Sequence, residues 1–170
     1  MNPGKPSFFL MAIFLLLLRI SHQNGLPMLA DESFYRNIID NMIPMHKLLG
    51  IRLVTIQYGY VKLHVPFKPE LVGDPRRQVL HGGVISTAMD SAGGAVGMTT
   101  LVSGEDKIQT IDIRVDYMQP AKSNDLIVEG NMARSGNRIL VTSMVAYDKD
   151  GESRIAEGKG VYNVKRKQEG

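Results

Sequence analysis

The sequence contains no cysteine, so it can form no disulfide, no thiolate nucleophile and no cysteine-based zinc site. Its histidines, at positions 22, 46, 64 and 81, show neither the H-E-x-x-H motif nor a comparable spacing of metal ligands, and we therefore expect no metal site. The G-x-S-x-G motif of serine hydrolases and the phosphate-binding loop of nucleotide hydrolases are also missing. Any chemistry must then come from carboxylates, hydroxyls and backbone groups.

The sequence also has little excess of positive over negative charge. The formal net charge is +3, and the excess is accounted for by Lys5, Arg19 and the C-terminal VKRKQEG. Without a basic stripe elsewhere, we expect no nucleic-acid partner. Apolar residues make up 44% of the 170 residues and charged residues 22%, which is typical of a single globular domain.

The sequence has no hydrophobic run long enough for a membrane span. The apolar segment 8–18 is shorter than the roughly 20 residues that cross a bilayer. With Lys5 before it, the segment resembles a secretory signal; alternatively, Met28 is the true start of the protein. We divide the chain into an N-terminal hydrophobic extension (1–30), one domain (31–165) and a basic tail (166–170). We expect a cytoplasmic protein, or an exported or membrane-associated one if the extension is a genuine signal.

The hydrophobic pattern predicts a helix, two strands, one long helix and four further strands. The first helix has a possible cap at Asp31 or Ser33 and ends at Pro44, before a second short turn. Alternation around Gly59 indicates a hairpin, whereas the proline-containing segment 68–79 indicates a loop. The last four strand-like runs are 107–119, 124–133, 137–148 and 153–164. This order favours an α+β fold in which the long helix covers one face of a six-stranded antiparallel sheet.

The central segment LHGGVISTAMDSAGGAVG, residues 80–97, carries one charge, Asp90. The lack of other charged residues nearby favours a functional role for Asp90 over a place on a solvated helix face. The glycines at 93, 94 and 97 each cost a helix about 1 kcal/mol relative to alanine, which indicates that another group approaches closely. At the helix start, Gly82 and Gly83 offer backbone N–H groups to an oxyanion, while Asp90 can act as nucleophile or general base. His81 can also be a capping or packing residue.

This segment, followed by TIDIRVDYMQPAKSNDLIVEG, resembles the hotdog-fold acyl-CoA thioesterases of the phenylacetic-acid-degradation and 4-hydroxybenzoyl-CoA thioesterase type. The resemblance covers about residues 31–164. It implies a curved antiparallel sheet wrapped around 80–101, and homodimers that join two sheets edge to edge, often as dimers of dimers. It also implies active sites at the subunit interface, which would explain a close approach to the glycines of the helix.

The resemblance also assigns roles to individual residues. It places the catalytic carboxylate at Asp90 and the oxyanion N–H at Gly82, and it includes His81 of the H-G-G motif among the catalytic residues. It implies that Thr110, contributed by the opposite subunit, orients the water or the carboxylate. Gly83 would take part in binding the substrate.

One position departs from the family pattern. Many relatives carry Asn or Gln about six residues before the histidine, where this sequence has Pro75, so Asp74 and Gln78 are the available stand-ins for positioning the substrate. Arg134 and Arg138 would meet the phosphates of CoA, since a guanidinium binds two oxygens at once; alternatively, both are solvated hairpin charges.

The resulting hypothesis is hydrolysis of an acyl-CoA thioester to a free acid and CoA, with no cofactor besides the CoA of the substrate. Two alternatives are hydration or dehydration of an acyl thioester on the same fold, and a non-catalytic acyl-CoA binding module. The sequence leaves the acyl group open.

Overall fold

The structure is a computed structural model that describes residues 28–167. Its α-helices are α1 (Glu32–Asn37), α2 (Pro44–Leu49) and α3 (Gly82–Met98), with a π-helical turn at Ile38–Met42 and a 3₁₀ turn at Pro69–Leu71. Its strands are β1 (Arg52–Gln57), β2 (Tyr60–Val65), β3 (Val72–Asp74), β4 (Val79–Leu80), β5 (Lys107–Tyr117), β6 (Leu126–Ser135), β7 (Ile139–Asp148) and β8 (Arg154–Lys165). The secretory-signal and start-site interpretations concern residues 1–27, which lie outside the described residues.

The N-terminal helices follow the predicted punctuation. The Asp31 carboxylate caps α1 by accepting a hydrogen bond from the backbone N–H of Phe34, at 3.1 Å. Pro44 stops the first helical segment and begins α2, where its missing N–H costs nothing. Gly50 then ends α2 with a φ of 78°, a left-handed conformation that glycine adopts without strain.

The main sheet has the order β1-β2-β6-β7-β8-β5, and each neighbouring pair is antiparallel. The predicted hairpin joins β1 to β2 through Gly59, whose φ is 75°. As expected from the alternation, Val61, Leu63 and Val65 are buried. The six-stranded antiparallel sheet and the α+β class are therefore confirmed.

The prediction of a plain loop at 68–79 is wrong in part. This segment contains the 3₁₀ turn and a small antiparallel ribbon in which β3 pairs with β4. The ribbon strands have three and two residues, which is too short to produce a readable alternation. The backbone at Gly73 lies against that of His81, so the ribbon packs at the start of α3.

Helix α3 supplies the centre of the core, as predicted. Its face toward the sheet is buried and consists of Ile85, Ala88, Met89, Ala92, Ala95 and Val96. The helix contacts β2, β5, β6, β7 and β8. Since the sheet curves around it, one helix covers the apolar faces of five strands.

The close approach inferred for the glycines of α3 occurs within the chain itself. A side chain at Gly93 would overlap Tyr162, Met144 and Thr142 of the sheet, and one at Gly97 would overlap Ile108. At Gly94 an added Cβ would lie 3.9 Å from the Tyr162 ring, an ordinary van der Waals distance. The expectation that a second subunit explains the glycines is therefore wrong for Gly93 and Gly97, because the protein's own sheet fills that space.

The contacts of the fold extend slightly beyond the boundaries 31–165. Met28 and Ala30 pack against the core, and Arg166 donates a hydrogen bond to the Thr100 carbonyl at 2.8 Å. The backbone N–H of Lys167 donates to the Asp106 carboxylate at 2.8 Å. Across residues 28–167, no helix combines the length and apolarity needed to cross a bilayer.

Candidate active site

The start of α3 leaves one backbone N–H available. His81 is the N-cap, and its ring Nδ1 accepts a hydrogen bond from the N–H of Gly83 at 2.9 Å. The N–H of Val84 donates to the His81 carbonyl at 2.9 Å. The N–H of Gly82, the first residue of the helix, has no intrahelical acceptor. Gly83 thus donates its N–H to the capping residue His81, whereas within residues 28–167 the N–H of Gly82 makes no hydrogen bond.

Gly82 is partly exposed and lies beside Tyr117 of β5. The Tyr117 hydroxyl donates to the Gly82 carbonyl at 2.8 Å. This hydrogen bond fixes the peptide group that follows Gly82, and the Gly82 N–H lies on the other side of the residue. The positive end of the helix dipole adds to the attraction of this N–H for a developing negative charge.

Asp90 lies half-buried on the side of α3 that faces β5 and β8. Its Oδ1 accepts a hydrogen bond from the Thr110 hydroxyl at 3.0 Å and lies 3.2 Å from the Tyr162 hydroxyl. Within the described residues, no hydrogen bond is made to Oδ2. One oxygen of the carboxylate is thus held, and the other is free to attack or to accept a proton.

The hydrogen bond from Thr110 is made within one chain, which corrects the expectation that this residue reaches Asp90 from the opposite subunit. The register of β5 against β8 shifts between Thr110 and Asp112, and Thr110 pairs with Tyr162. Tyr162 of β8 lies beneath the helix, and Thr110 is its partner on β5. Both hydroxyls therefore lie close to the same Asp90 carboxylate. Sequence spacing alone does not reveal this pairing.

Tyr162 was missed in the sequence, where GKGVYNV has the pattern of an ordinary core strand. The glycines at 158 and 160 lie on the same face of β8 as Tyr162, and that face packs under α3. Glycines in the interior of a strand are a signal of close approach by another group. Gly158 and Gly160 are thus the feature of the sequence from which a close contact in this part of β8 could have been predicted.

The proposed stand-ins Asp74 and Gln78 make contacts inside their own turn. The Asp74 carboxylate accepts from the N–H of Arg76 at 3.0 Å, and the Gln78 amide donates to the Pro75 carbonyl at 2.7 Å. Gln78 has a φ of 52° and its carbonyl accepts from Ser123. Both residues lie in the turn of the ribbon that packs at the Gly82 end of α3, and the structure brings neither to Asp90.

The two arginines assigned to CoA phosphates lie at the β6–β7 hairpin and are exposed. Arg138 lines a surface recess of about 810 Å³ at the ends of β5, β7 and β8, together with Lys107 and Lys165. Within residues 28–167, these three cations form no ion pair. Arg134 does not line the recess.

The oxyanion candidate and the carboxylate are separated along the helix. Asp90 follows Gly82 by eight positions, which corresponds to about 12 Å along an α-helix. A thioester carbonyl needs a donor and a nucleophile each about 3 Å from its reacting atoms, so the two groups must lie within roughly 7 Å of each other. The aspartate side chain leans toward the helix N-terminus but is too short to close this gap. One chain therefore does not bring the two groups to the same carbonyl.

A six-stranded antiparallel sheet wrapped around one long helix defines the hotdog class of α+β proteins. A family model of the thioesterase superfamily matches residues 77–155. A solved structure of a protein from Shewanella oneidensis, described as related to the thioesterase superfamily, is 31% identical, with a TM-score of 0.70, and covers 77% of this chain and 93% of its own. The chain belongs to the thioesterase superfamily.

Other relatives agree with this membership. The medium/long-chain acyl-CoA thioesterase YigI of Salmonella typhimurium is 29% identical over 134 residues, which cover 72% of this chain and 86% of that protein. Its Escherichia coli K12 counterpart is 28% identical over the same coverage. A thioesterase family protein from Silicibacter pomeroyi has a TM-score of 0.70 at 25% identity and covers 78% of this chain and 99% of its own. The enzyme class that these comparisons support is thioester hydrolase.

Proposed function

We propose that the protein hydrolyses acyl-CoA thioesters to a free acid and CoA. The observation that carries the proposal is the half-buried Asp90 carboxylate, held through one oxygen by Thr110 and Tyr162 and free at the other. The YigI relatives, whose names specify medium and long acyl chains, support acyl-CoA as the substrate and make chains of this length the first to test.

In the proposed reaction, Asp90 acts through its free oxygen. As a general base it takes a proton from water while the water oxygen bonds to the thioester carbon, and the carbon–sulfur bond of the resulting tetrahedral intermediate then breaks. The proton passes to the departing CoA sulfur, which gives the acid and the free thiol. As a nucleophile, the same oxygen would bond to the carbonyl carbon and the carbon–sulfur bond would break, which leaves an acyl anhydride and the CoA thiolate. Water then cleaves the anhydride to the free acid and Asp90, and the proton released goes to the thiolate.

The Gly82 N–H is the proposed donor to the negatively charged oxygen of the intermediate. Since Gly82 and Asp90 lie about 12 Å apart along one helix, we propose that each site takes Asp90 from one chain and Gly82 from a second copy. His81 supports this donor by capping the helix, and Gly83 allows the capping contact at close range.

The edge strand β5 supplies the means of joining two copies. It is eleven residues long, pairs with β8 on one side only, and leaves Ile111, Tyr117 and Met118 beside it exposed. Such an edge favours pairing with another strand.

In a two-fold antiparallel pair of β5 strands, the Thr110 end of one lies beside the Tyr117 end of the other. Asp90 contacts Thr110 and Gly82 contacts Tyr117, so this pairing brings the carboxylate of one chain toward the donor of the other. We propose a homodimer of this kind, with a dimer of dimers as a further level of assembly.

The CoA phosphates have a proposed binding place in the recess at Arg138. Lys107, Arg138 and Lys165 contribute three cations there. Arg138 is therefore favoured over Arg134 as a phosphate ligand. The proposed reaction uses no resident cofactor and takes place where acyl-CoA is present, which we propose to be the cytoplasm.

The proposal is tested by following thiol release from acyl-CoAs of increasing chain length. We expect the wild-type protein to release CoA and Asp90→Asn to be at least 10³-fold slower, an order of magnitude set by loss of a catalytic base or nucleophile. Asp150→Asn, which makes the same chemical change in the exposed β7–β8 turn, is the matched control and should keep full activity.

Three outcomes separate the proposal from its alternatives. Full activity in Asp90→Asn would exclude Asp90 as the catalytic group. Binding of acyl-CoA without release of thiol would identify a binding module, and a hydrated or dehydrated acyl-CoA detected by mass spectrometry would identify a hydratase or dehydratase.

A further inference from the structure

The Tyr162 hydroxyl is aimed at the Asp90 carboxylate. The side chain is 1% exposed, and its hydroxyl lies 3.2 Å from both Oδ1 and the main-chain carbonyl oxygen of Asp90 and 3.8 Å from the sulfur of Met144. The Asp90 carbonyl lies inside α3, where it accepts a hydrogen bond from the N–H four residues later. The hydroxyl has one proton, and the carboxylate is the stronger acceptor because it is charged. Tyr162 therefore donates to Oδ1.

Glycines in α3 and β8 leave room for the Tyr162 ring, at a cost to the local stability of both elements. A side chain at Gly93 of α3 would overlap the Tyr162 hydroxyl, and a Cβ at Gly160 of β8 would lie 2.5 to 2.8 Å from atoms of its ring and hydroxyl. Glycine is unfavourable in the interior of a helix and of a strand. A phenylalanine ring would fill the same space, so packing alone does not explain the hydroxyl.

The hydroxyl retains its proton throughout the physiological range. Burial, reinforced by the neighbouring negative charge of Asp90, raises the pKa of Tyr162 above its ordinary value. The other side chains around the contact are Thr142 and Met144 of β7 and Thr110 of β5, which carry no charge. Tyr162 is thus a permanent donor in an uncharged surrounding.

From this arrangement we infer that Tyr162 is a positioning residue for Asp90 in the proposed hydrolysis, an inference that rests on the proposed function. Together with Thr110, it holds Oδ1 and so directs Oδ2 toward the substrate. The two donors come from adjacent strands, since Thr110 pairs with Tyr162 in the β5–β8 ladder. The sheet thereby fixes the orientation of a carboxylate that belongs to the helix.

The test compares Tyr162→Phe with the wild-type protein, and Tyr147→Phe on β7 serves as the matched control. We expect Tyr162→Phe to lower kcat about tenfold with little change in KM, since the lost hydrogen bond orients Asp90 for the chemical step. The substitution keeps the ring and removes only the hydroxyl that contacts Oδ1, so the loss of kcat reports on this hydrogen bond and not on the packing of the ring. Tyr147→Phe should change none of these quantities.

A measurement without substrate accompanies the kinetics. The carboxyl carbon of Asp90 is assigned by ¹³C NMR from the signal that Asp90→Asn removes, and its chemical shift should change in Tyr162→Phe and stay the same in Tyr147→Phe, because only the first variant removes a hydrogen bond to Oδ1. Unchanged kcat would overturn the inference, as would a lower kcat with an unchanged chemical shift of the Asp90 carboxyl carbon, which indicates a purely structural role. Full activity in Asp90→Asn would instead overturn the proposed function, and the positioning role with it.

Discussion

Replacing Gly82 by proline removes one N–H group and little else. Gly82 is the first residue of α3, a position where proline is well tolerated because its N–H has no partner in the helix. The preceding residue, His81, has φ −66° and ψ 130°, the conformation that a residue before proline prefers. The capping hydrogen bond from Gly83 to His81 does not involve the lost group. The variant should therefore fold normally.

Removing a single oxyanion donor slows acyl transfer by about 10²- to 10³-fold, or about 3–4 kcal/mol in the transition state. We expect a loss of kcat of this size in Gly82→Pro, measured as thiol release from a saturating acyl-CoA. Gly82→Ala is the matched control, since it keeps the N–H. Its Cβ would lie 3.4 Å from the Tyr117 ring, an ordinary contact, so activity should stay within a few-fold of wild type.

Circular dichroism and thermal unfolding establish that both variants are folded. If folded Gly82→Pro keeps wild-type kcat, the Gly82 N–H is not the oxyanion donor. Equal losses in the proline and alanine variants would trace the effect to added bulk at the helix start.

Two further predictions concern other parts of the chain. Arg138→Ala should raise KM for acyl-CoA about tenfold, as expected for a lost charge-assisted hydrogen bond. Arg134→Ala should leave this KM unchanged. With an acyl-pantetheine, which lacks the nucleotide, Arg138→Ala and the wild-type protein should have the same KM. A rise in KM for the pantetheine substrate as well would contradict the recess as a phosphate site. Burial alone would raise the pKa of Asp106, but hydrogen bonds from Lys167, Val102, Arg166 and Ser103 outweigh it and lower the pKa to about 2. Because the folded value lies below the unfolded value of 3.8, Asp106 stabilises the fold above about pH 4 and loses that contribution as pH falls toward 2. In Asp106→Asn the free energy of unfolding at pH 7 should fall by about 2 kcal/mol, with a smaller dependence on pH between 4 and 2 in denaturant titrations; an unaltered pH dependence would refute the assignment.

The sheet and its covering helix could be predicted from the sequence because both have a clear period. Alternation in β2 places Val61 and Leu63 in the core, and helical spacing places Ala88 and Ala92 against the sheet. The turn at Gly59 was readable since its backbone conformation requires a residue without a side chain. These features depend on neighbours in sequence.

The site was only partly predictable, since its geometry depends on pairing between distant segments. Asp90 was identified because it is the one charge in an uncharged helix. That Thr110 and Tyr162 meet it from the same chain follows from the β5–β8 register and its irregularity beside Thr110, which no local pattern reveals. The substrate-binding role of Gly83 stays a prediction, and no local pattern reveals that the His81 ring accepts its N–H.

The measurement that tests the two-chain site most directly is the activity of a heterodimer. Asp90→Asn and Gly82→Pro chains carry different affinity tags, are co-expressed, and are purified on both tags in turn. If each site combines Asp90 of one chain with Gly82 of the other, the heterodimer contains one site with both defects and one intact site. It should then recover about half of the wild-type kcat per dimer, although each parent homodimer is nearly inactive. A heterodimer as inactive as its parents would contradict the account, because every site would then contain one defect and the two groups would act from the same chain.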